Sequence, residues 1–278
     1  MNQGVVLFAF NNISVDYIKQ AEYCAKRIKK YLQLPVQVIT DDVEHIKTFP
    51  FYKKYVDIVT YQPAPLSTTK TFNNGLYTSK KLQWKNSARN SAYELSVFDN
   101  TLVIDTDLLI SNDKLLSCFN SQEEFMIAKH HRLVNNNGIN FDRITDKSIP
   151  MYWATIIYFT KSDTAKNVFD LVSHIKENYN YYRTVYDISE SKFRNDFAFS
   201  IAVHMLKGFE PSTEWPKDLP SDMWVSTDRD ILIDASTSIK LLAHNSYDYI
   251  PVNLKDATVH VMNKFSLNSF IDKEFVNE

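Results

Sequence analysis

The chain is 278 residues long, 44% hydrophobic and 23% charged, the makeup of a globular enzyme-sized domain with room for a substantial core. A formal net charge of -2 offers no global attraction to nucleic acid or an anionic membrane, although a local basic face stays open. Two cysteines and four scattered glycines exclude a disulfide framework, a P-loop, a dinucleotide-binding Gly-x-Gly-x-x-Gly and a kinase glycine loop.

Residues 5–10 read as a fully buried strand closing on Asn11 and Asn12. Ser14 is the expected cap of a helix in which Ile18, Ala21, Ala25, Ile28 and Leu32 recur at helical spacing, and Pro35 stops it. Residues 36–40 supply a second strand ending at Asp41 and Asp42. This β-α-β opening implies parallel strands, a right-handed crossover and a ligand crevice at the strand carboxyl ends. Pro63, Pro65 and Asn73-Asn74-Gly75 predict a loop over 62–77, and a helix carrying Lys80, Lys81, Lys85 and Arg89 is expected over 78–97. Residues 102–110 form an apolar run interrupted by Asp105 and Asp107, and 125–129 give another strand.

Lys129-His130-His131-Arg132 then opens a long loop through Asn135-Asn136-Asn137-Gly138 to about Pro150, a length more often functional than idle. A strand resumes over 151–160, and Ser162 caps an amphipathic helix through Val168, Leu171, Val172 and Ile175. A connection rich in tyrosine (Tyr179, Tyr181, Tyr182, Tyr186) leads to a helix over 193–206, and short strands follow at 239–243 and 257–262. No repeat, low-complexity tract or linker is visible, so one two-lobed α/β domain over 1–278 is expected. No apolar run approaches the ~20 residues that cross a bilayer. Met1-Asn2-Gln3-Gly4 lacks a basic leader, so a cytoplasmic location without a membrane partner is the expectation. Abundant Asn, Lys, Ile and Tyr suggest an AT-rich coding genome such as that of a bacteriophage.

Asp105 and Asp107 are the most informative pair. An ionised carboxylate buried without a partner costs several kcal/mol, and two at i and i+2 on a straight strand would repel one another. A divalent metal removes that penalty, and Mg²⁺ or Mn²⁺ prefers such oxygen ligands. The alternative is a strand that ends at Asp105 with both acids solvated in a turn.

The segment from Arg89 through Tyr93 to Asp105-Thr106-Asp107-Leu108-Leu109-Ile110 resembles the GT-A-fold glycosyltransferases, in particular the glycogenin-like, family 8-type group. That group runs from an arginine-bearing helix into an apolar strand ending Asp-x-Asp. Tyr152-Trp153-Ala154-Thr155 through Phe159, Asn195-Asp196, and the element from Ala257 through His260 to Lys264 resemble later members of the same series. The chain departs from the group in three places. Tyr152 to Thr155 stand where it has Asn-x-Gly, Phe197 stands where it has glutamine, and the last element lacks a glycine and a Pro-Trp.

The resemblance implies a Rossmann-like, mostly parallel sheet flanked by helices, with residues 1–115 binding a nucleotide sugar and 116–278 binding the acceptor. It implies Asp105, Asp107 and His260 as ligands of Mn²⁺ or Mg²⁺, with Asp105 also on the donor ribose. Lys264 would face the diphosphate, Arg89 would bind the donor, and Ala9, Phe10, Asn11 and Tyr17 match the nucleobase pocket. Asp196 resembles the acid beside the transferred sugar. The implied reaction moves a sugar from a UDP-type donor to an acceptor hydroxyl, with retention of configuration. For His260, Lys264, Arg89 and Asp196 the plainer alternatives are a core histidine, a surface lysine, a solvated helix face and a helix-terminal ion pair with Arg194.

Lys129, His130, His131, Arg132, Arg143 and Lys147 cluster near Trp153, and basic residues beside an aromatic suit nucleic-acid contact. With the phage-like composition, Arg132 and Trp153 suggest DNA bearing a hydroxymethylated base as acceptor, reached by base flipping. A glycan, lipid or protein acceptor is the alternative, and a metal-dependent nuclease or phosphatase is the competing class. Oligomeric state is not legible.

Overall fold

The computed structural model describes residues 2–135, 143–145, 148–208, 214–220 and 222–276. Gly4 and the apolar residues after it form strand β1 (Gln3–Phe8), buried from Gly4 onward. A side chain at position 4 would drive into the Phe98 ring, so the glycine is there for close approach. Helix α1 (Tyr17–Tyr31) follows, and its cap is Asp16, not the expected Ser14: the Asp16 carboxylate accepts from the Lys19 N–H. The helix ends as Gln33 turns left-handed (φ 55°) and donates to the Ile28 carbonyl, two residues before Pro35. Strand β2 (Val36–Thr40) then lies parallel to β1, as the β-α-β opening requires.

Short helices α2 (Val43–Lys47) and α3 (Tyr52–Tyr55) return the chain to edge strand β3 (Ile58–Tyr61). The next segment corrects two expectations. In place of a loop over 62–77 and a helix over 78–97, there is a hairpin of β4 (Thr68–Asn74) and β5 (Thr78–Trp84), turning at Gly75 with φ +68°. The lysines suit a helix, yet threonines at 68, 69, 71 and 78 favour strands, and only Phe72 and Leu82 of the pair are buried. Helical structure is confined to a 3-10 turn at Arg89–Ser91 and the short α4 (Ala92–Leu95).

Strand β6 (Asn100–Ile104) pairs parallel to β1, and the expected apolar strand over 102–110 is broken after Ile104; its remainder is β7 (Leu108–Leu109). Strands β8 (Phe125–Ala128), β9 (Arg132–Leu133) and β10 (Trp153–Thr160) come next. Helix α5 (Asp163–Glu177) is capped by Ser162 as expected, and the tyrosine-rich connection is itself a helix, α6 (Tyr179–Val185). Helix α7 (Asn195–Leu206) starts two residues later than the sequence suggested. The chain closes with β11 (Met223–Ser226), β12 (Ile231–Asp234), β13 (Ile239–Asn245), β14 (Asp248–Leu254), β15 (Thr258–Val261) and α8 (Lys264–Val276).

The central sheet has the order β3-β2-β1-β6-β10-β8, with β10 antiparallel to both neighbours and the other five strands running one way. It is the expected mainly parallel α/β sheet, with α1 packed on β2 and α7 on β10. The chain leaves β1 toward β2 on one side and β6 lies on the other, so the carboxyl ends of β1 and β6 bound a topological switch point. A second sheet, β7-β15-β11-β9, sews the end of β6 to the C-terminal part of the chain. A smaller apolar cluster around Leu109, Leu241, Val259 and Ile271 lies under it. No helix among the described residues is long and apolar enough to cross a membrane.

Candidate active site

Asp105 is the first residue past β6, held there as its N–H donates to the Thr155 carbonyl at 3.0 Å. Its own carbonyl accepts from the Leu108 N–H at 3.1 Å, closing a tight turn that contains Asp107. The two acids therefore sit on a turn, which corrects the straight-strand picture, but they are not solvated: Asp107 is 5% exposed. Strand β15 runs antiparallel to β7 with His260 opposite Leu108, and the Val261 N–H donates to the Asp107 carbonyl at 3.0 Å. That register carries His260 to the acids from more than 150 residues away. Its Nε2 lies 3.2 Å from Asp107 Oδ2 and 3.8 Å from Asp105 Oδ2.

One ligand atom each from Asp105, Asp107 and His260 falls within 4.8 Å of the others, and two carboxylate oxygens with one imidazole nitrogen suit a hard or borderline divalent cation. Burial, then the nearby Arg89 charge, pushes the His260 imidazole down to about 3, so the ring is neutral at neutral pH, as a ligand must be. The Thr155 hydroxyl stands 3.4 Å from His260 Nδ1, a position from which it orients the ring and leaves Nε2 toward the acids.

Two cations neutralise the acids. The Arg89 guanidinium contacts Asp105, and the Lys264 ammonium contacts Asp107 and donates to the Val261 carbonyl at 3.0 Å. Arg89 comes from the 3-10 turn and not from a solvated helix face, and burial pushes it down to about 10, still charged at neutral pH. Lys264 opens α8, where Asn263 accepts from the Ser266 N–H at 3.0 Å. Burial, with Lys70 and Arg89 nearby, pushes the Lys264 ammonium well below its usual range, and the direct contact with Asp107 opposes this. A positive helix terminus and a lysine at one point favour an anion.

Asp196 lies in the first turn of α7, its Oδ1 accepting from the Ala154 N–H and its Oδ2 from Arg194, both at 2.9 Å. Burial pushes its carboxyl up, but Arg194, Arg89 and these hydrogen bonds outweigh that and hold it below the usual carboxylate range. The ion pair with Arg194 weighed from sequence is therefore present, and Asp196 also lines the same cleft as Asp105, Asp107 and His260.

That cleft encloses about 350 Å³. Tyr17, Arg89, Lys264 and Trp153 line it, whereas Ala9, Phe10 and Asn11 do not. Ala9 and Phe10 are buried in the core, and Asn11 braces the start of α1, accepting from the Ile18 N–H and donating to Asp16. The apolar wall at the end of β1 is supplied instead by Phe8, with Asn86 clamping the Phe10 backbone through its N–H and carbonyl. Lys70, Phe72 and Trp84 from the hairpin complete the opposite side. The alternation of Thr68, Lys70 and Phe72 was the one sequence signal that could have found this wall.

Arg132 lies elsewhere. It is exposed, 3.8 Å from Asp222 and stacked over Trp224 at 5.7 Å, in a separate cleft of about 420 Å³ with Lys114, His130 and Asp218. His130 pairs with Asp218 at 2.6 Å, and the Lys129 N–H also donates to Asp218. The basic run is thus largely matched by acids about ninety residues downstream. Trp153 is buried between the two clefts, its ring 4.5 Å from that of His131. Arg143 donates to the Ser148 carbonyl, while Lys147 and Asn136-Asn137-Gly138 lie outside the described residues.

No family model matches the sequence, and no curated protein does either. Among solved structures, the chain is similar to the apo form of glycosyltransferase GlyE from Streptococcus pneumoniae TIGR4, with 14% identity and a TM-score of 0.44 over 74% of this chain; the match spans 43% of that protein. It is also similar to the galactosyltransferase LgtC in complex with donor and acceptor sugar analogs, with 13% identity and a TM-score of 0.43 over 70% of this chain and 69% of that one. Likenesses this distant assign no activity.

Proposed function

We propose that the cleft at the end of β1 and β6 is the active site of a metal-dependent glycosyltransferase, which moves a sugar from a nucleoside diphosphate donor, UDP-linked, to an acceptor hydroxyl. The observation that carries this reading is the convergence of Asp105, Asp107 and His260 within 4.8 Å, with Arg89 and Lys264 beside them. Two cations and a neutral imidazole around two acids would suit a divalent ion and a diphosphate together, and a structural ion pair alone would not call for the third ligand. Asp105, Asp107 and His260 would hold Mn²⁺ or Mg²⁺, which supplies charge stabilisation to a departing diphosphate.

The remaining roles fall to the chain's own side chains. Lys264 and Arg89 lend positive charge to the diphosphate as the bond from the sugar's anomeric carbon to oxygen breaks and the acceptor oxygen takes its place, the acceptor's proton passing to the departing diphosphate. Asp196, held ionised, accepts hydrogen bonds from sugar hydroxyls and favours positive charge at the reacting carbon. Phe8 and Tyr17 offer ring surface for the base. Trp153, buried at the cleft wall, adds apolar surface beside the sugar.

The test is release of UDP from a panel of UDP-hexoses and UDP-pentoses in Mn²⁺, with acceptor arms of hydroxymethylcytosine DNA, oligosaccharide and lipid. Metal-dependent UDP release, abolished by chelator and by Asp107→Ala, is the expected result. Phosphate release from simple monoesters, or DNA cleavage, with no turnover of any sugar nucleotide would replace the reading with a phosphatase or nuclease.

A further inference from the structure

The outer part of the cleft carries charge that the diphosphate centre does not use. Arg89 and Lys264 are matched by Asp105 and Asp107 on the floor, and Arg194 is matched by Asp196 while lying 4.7 Å over the Phe197 ring. Lys70 and Lys192 have no such partner. Lys70 projects from β4 with Thr68 and Phe72 on the cleft side, and Lys192 comes from the segment entering α7. Neither ammonium makes an ion pair among the described residues; the Lys70 Nζ lies 5.8 Å from the centre of the Phe72 ring. Lys70 stays open to solvent at the mouth, yet the surrounding walls, then Arg194, push its ammonium down; Asp196 and Asp228 oppose this from a distance, and Lys192 adds to the lowering.

The lining as a whole has five cationic and four acidic side chains, Glu190 being the acid nearest Lys192 in sequence. A divalent ion and the doubly charged diphosphate of a sugar nucleotide cancel one another, so the lining keeps an excess of one positive charge. Like charges gathered in one cleft cost free energy that an anion recovers. Phe197 contributes to the arrangement: an aromatic face at that position holds Arg194 toward the cleft, where an amide would offer no such seat.

We propose that Lys70 and Lys192, with Arg194 beside them, form a subsite for a second anionic group, a carboxylate or phosphate carried by the transferred sugar or by the acceptor. This rests on the nucleotide-sugar reading and adds a substrate class to it.

Calorimetric titrations in Mn²⁺ separate the two sources. In the donor arm, UDP-glucuronate is compared with UDP-glucose, which differs only at the carboxylate. In the acceptor arm, glucose 6-phosphate is compared with glucose on protein saturated with UDP and Mn²⁺. The expected result is about a tenfold preference for the anionic ligand in one arm, the size of one charge-assisted contact. That ratio should fall below about twofold in Lys70→Met/Lys192→Met. A ratio near one in both arms for the wild-type protein overturns the subsite. So does a double variant that weakens UDP itself by the same factor, because the lysines would then belong to the diphosphate centre. If UDP does not bind at all in Mn²⁺, the nucleotide-sugar reading has failed and the subsite falls with it.

Discussion

His260 stands 3.2 Å from Asp107, and His130 stands 2.6 Å from Asp218, yet the two pairs live in different media. The His260 side chain is 8% exposed and that of His130 is 83% exposed. Both clefts hold histidine, carboxylate and cation. In the outer one, water screens Lys114, His130 and Arg132 from Asp218 and Asp222, and such pairs contribute about 0–1 kcal/mol. In the inner one the same chemistry is walled in by β6, β15 and α8, so each charge depends on its neighbour and the removal of one leaves an uncompensated ion. Burial, more than composition, separates the two clusters.

That contrast can be broken or sharpened by substitution. The largest effect is expected at Asp107. Asp107→Ala should lower metal-dependent UDP release by roughly 1000-fold, since it removes a ligand and strands Lys264; activity within tenfold of wild type would erase the distinction between the clefts. Arg89→Met should cost about 3 kcal/mol in urea unfolding, because Asp105 keeps its burial and loses its counter-charge. A cost below about 1 kcal/mol would place that pair with the surface ones.

Thr155→Val is expected to weaken Mn²⁺ binding about tenfold by releasing the His260 ring, while changing stability little; Thr155→Ser, which keeps the hydroxyl, should restore affinity. Asp218→Asn, in the outer cleft, should change unfolding free energy by less than about 1 kcal/mol and leave UDP release intact. The smallest effect is at a third, surface pair. Lys240 donates to Asp234 at 2.8 Å and, as the leading cause, holds its carboxyl down to about 2. A folded value below the unfolded one gives stability that is present above about pH 4 and lost as pH falls toward 2. Lys240→Met should move the Asp234 titration, followed by carboxyl NMR, back toward 4, and the stability difference from wild type should vanish by about pH 2.

What the sequence disclosed follows the range of the forces involved. β1, α1 and β2 were legible because burial along five apolar residues and a 3.6-residue period are local. Asp105 and Asp107 stood out because carboxylates in an apolar run demand a partner, and resemblance pointed to His260 and Lys264, which the β7–β15 register does bring to them. The lysine-rich stretch from Thr78 misled, because its pairing with Thr68–Asn74 depends on a turn at Gly75 and on alternation shared between two segments. The exchange of Phe8 for Ala9, Phe10 and Asn11 in the cleft wall is a matter of which side chain the last strand residues present, and that is set by β2, β6 and Asn86 rather than by β1 itself. The pairing of Arg132 with Asp222 was not legible because the two are ninety positions apart in sequence and 3.8 Å apart in space.

The most direct test of the inner cleft is a calorimetric titration of UDP in the presence of Mn²⁺, repeated in EDTA and with Asp107→Asn. UDP should bind one molecule per chain in Mn²⁺ and lose that binding both in EDTA and in the variant. Equal UDP affinity under all three conditions would contradict a metal-diphosphate centre at Asp105, Asp107 and His260.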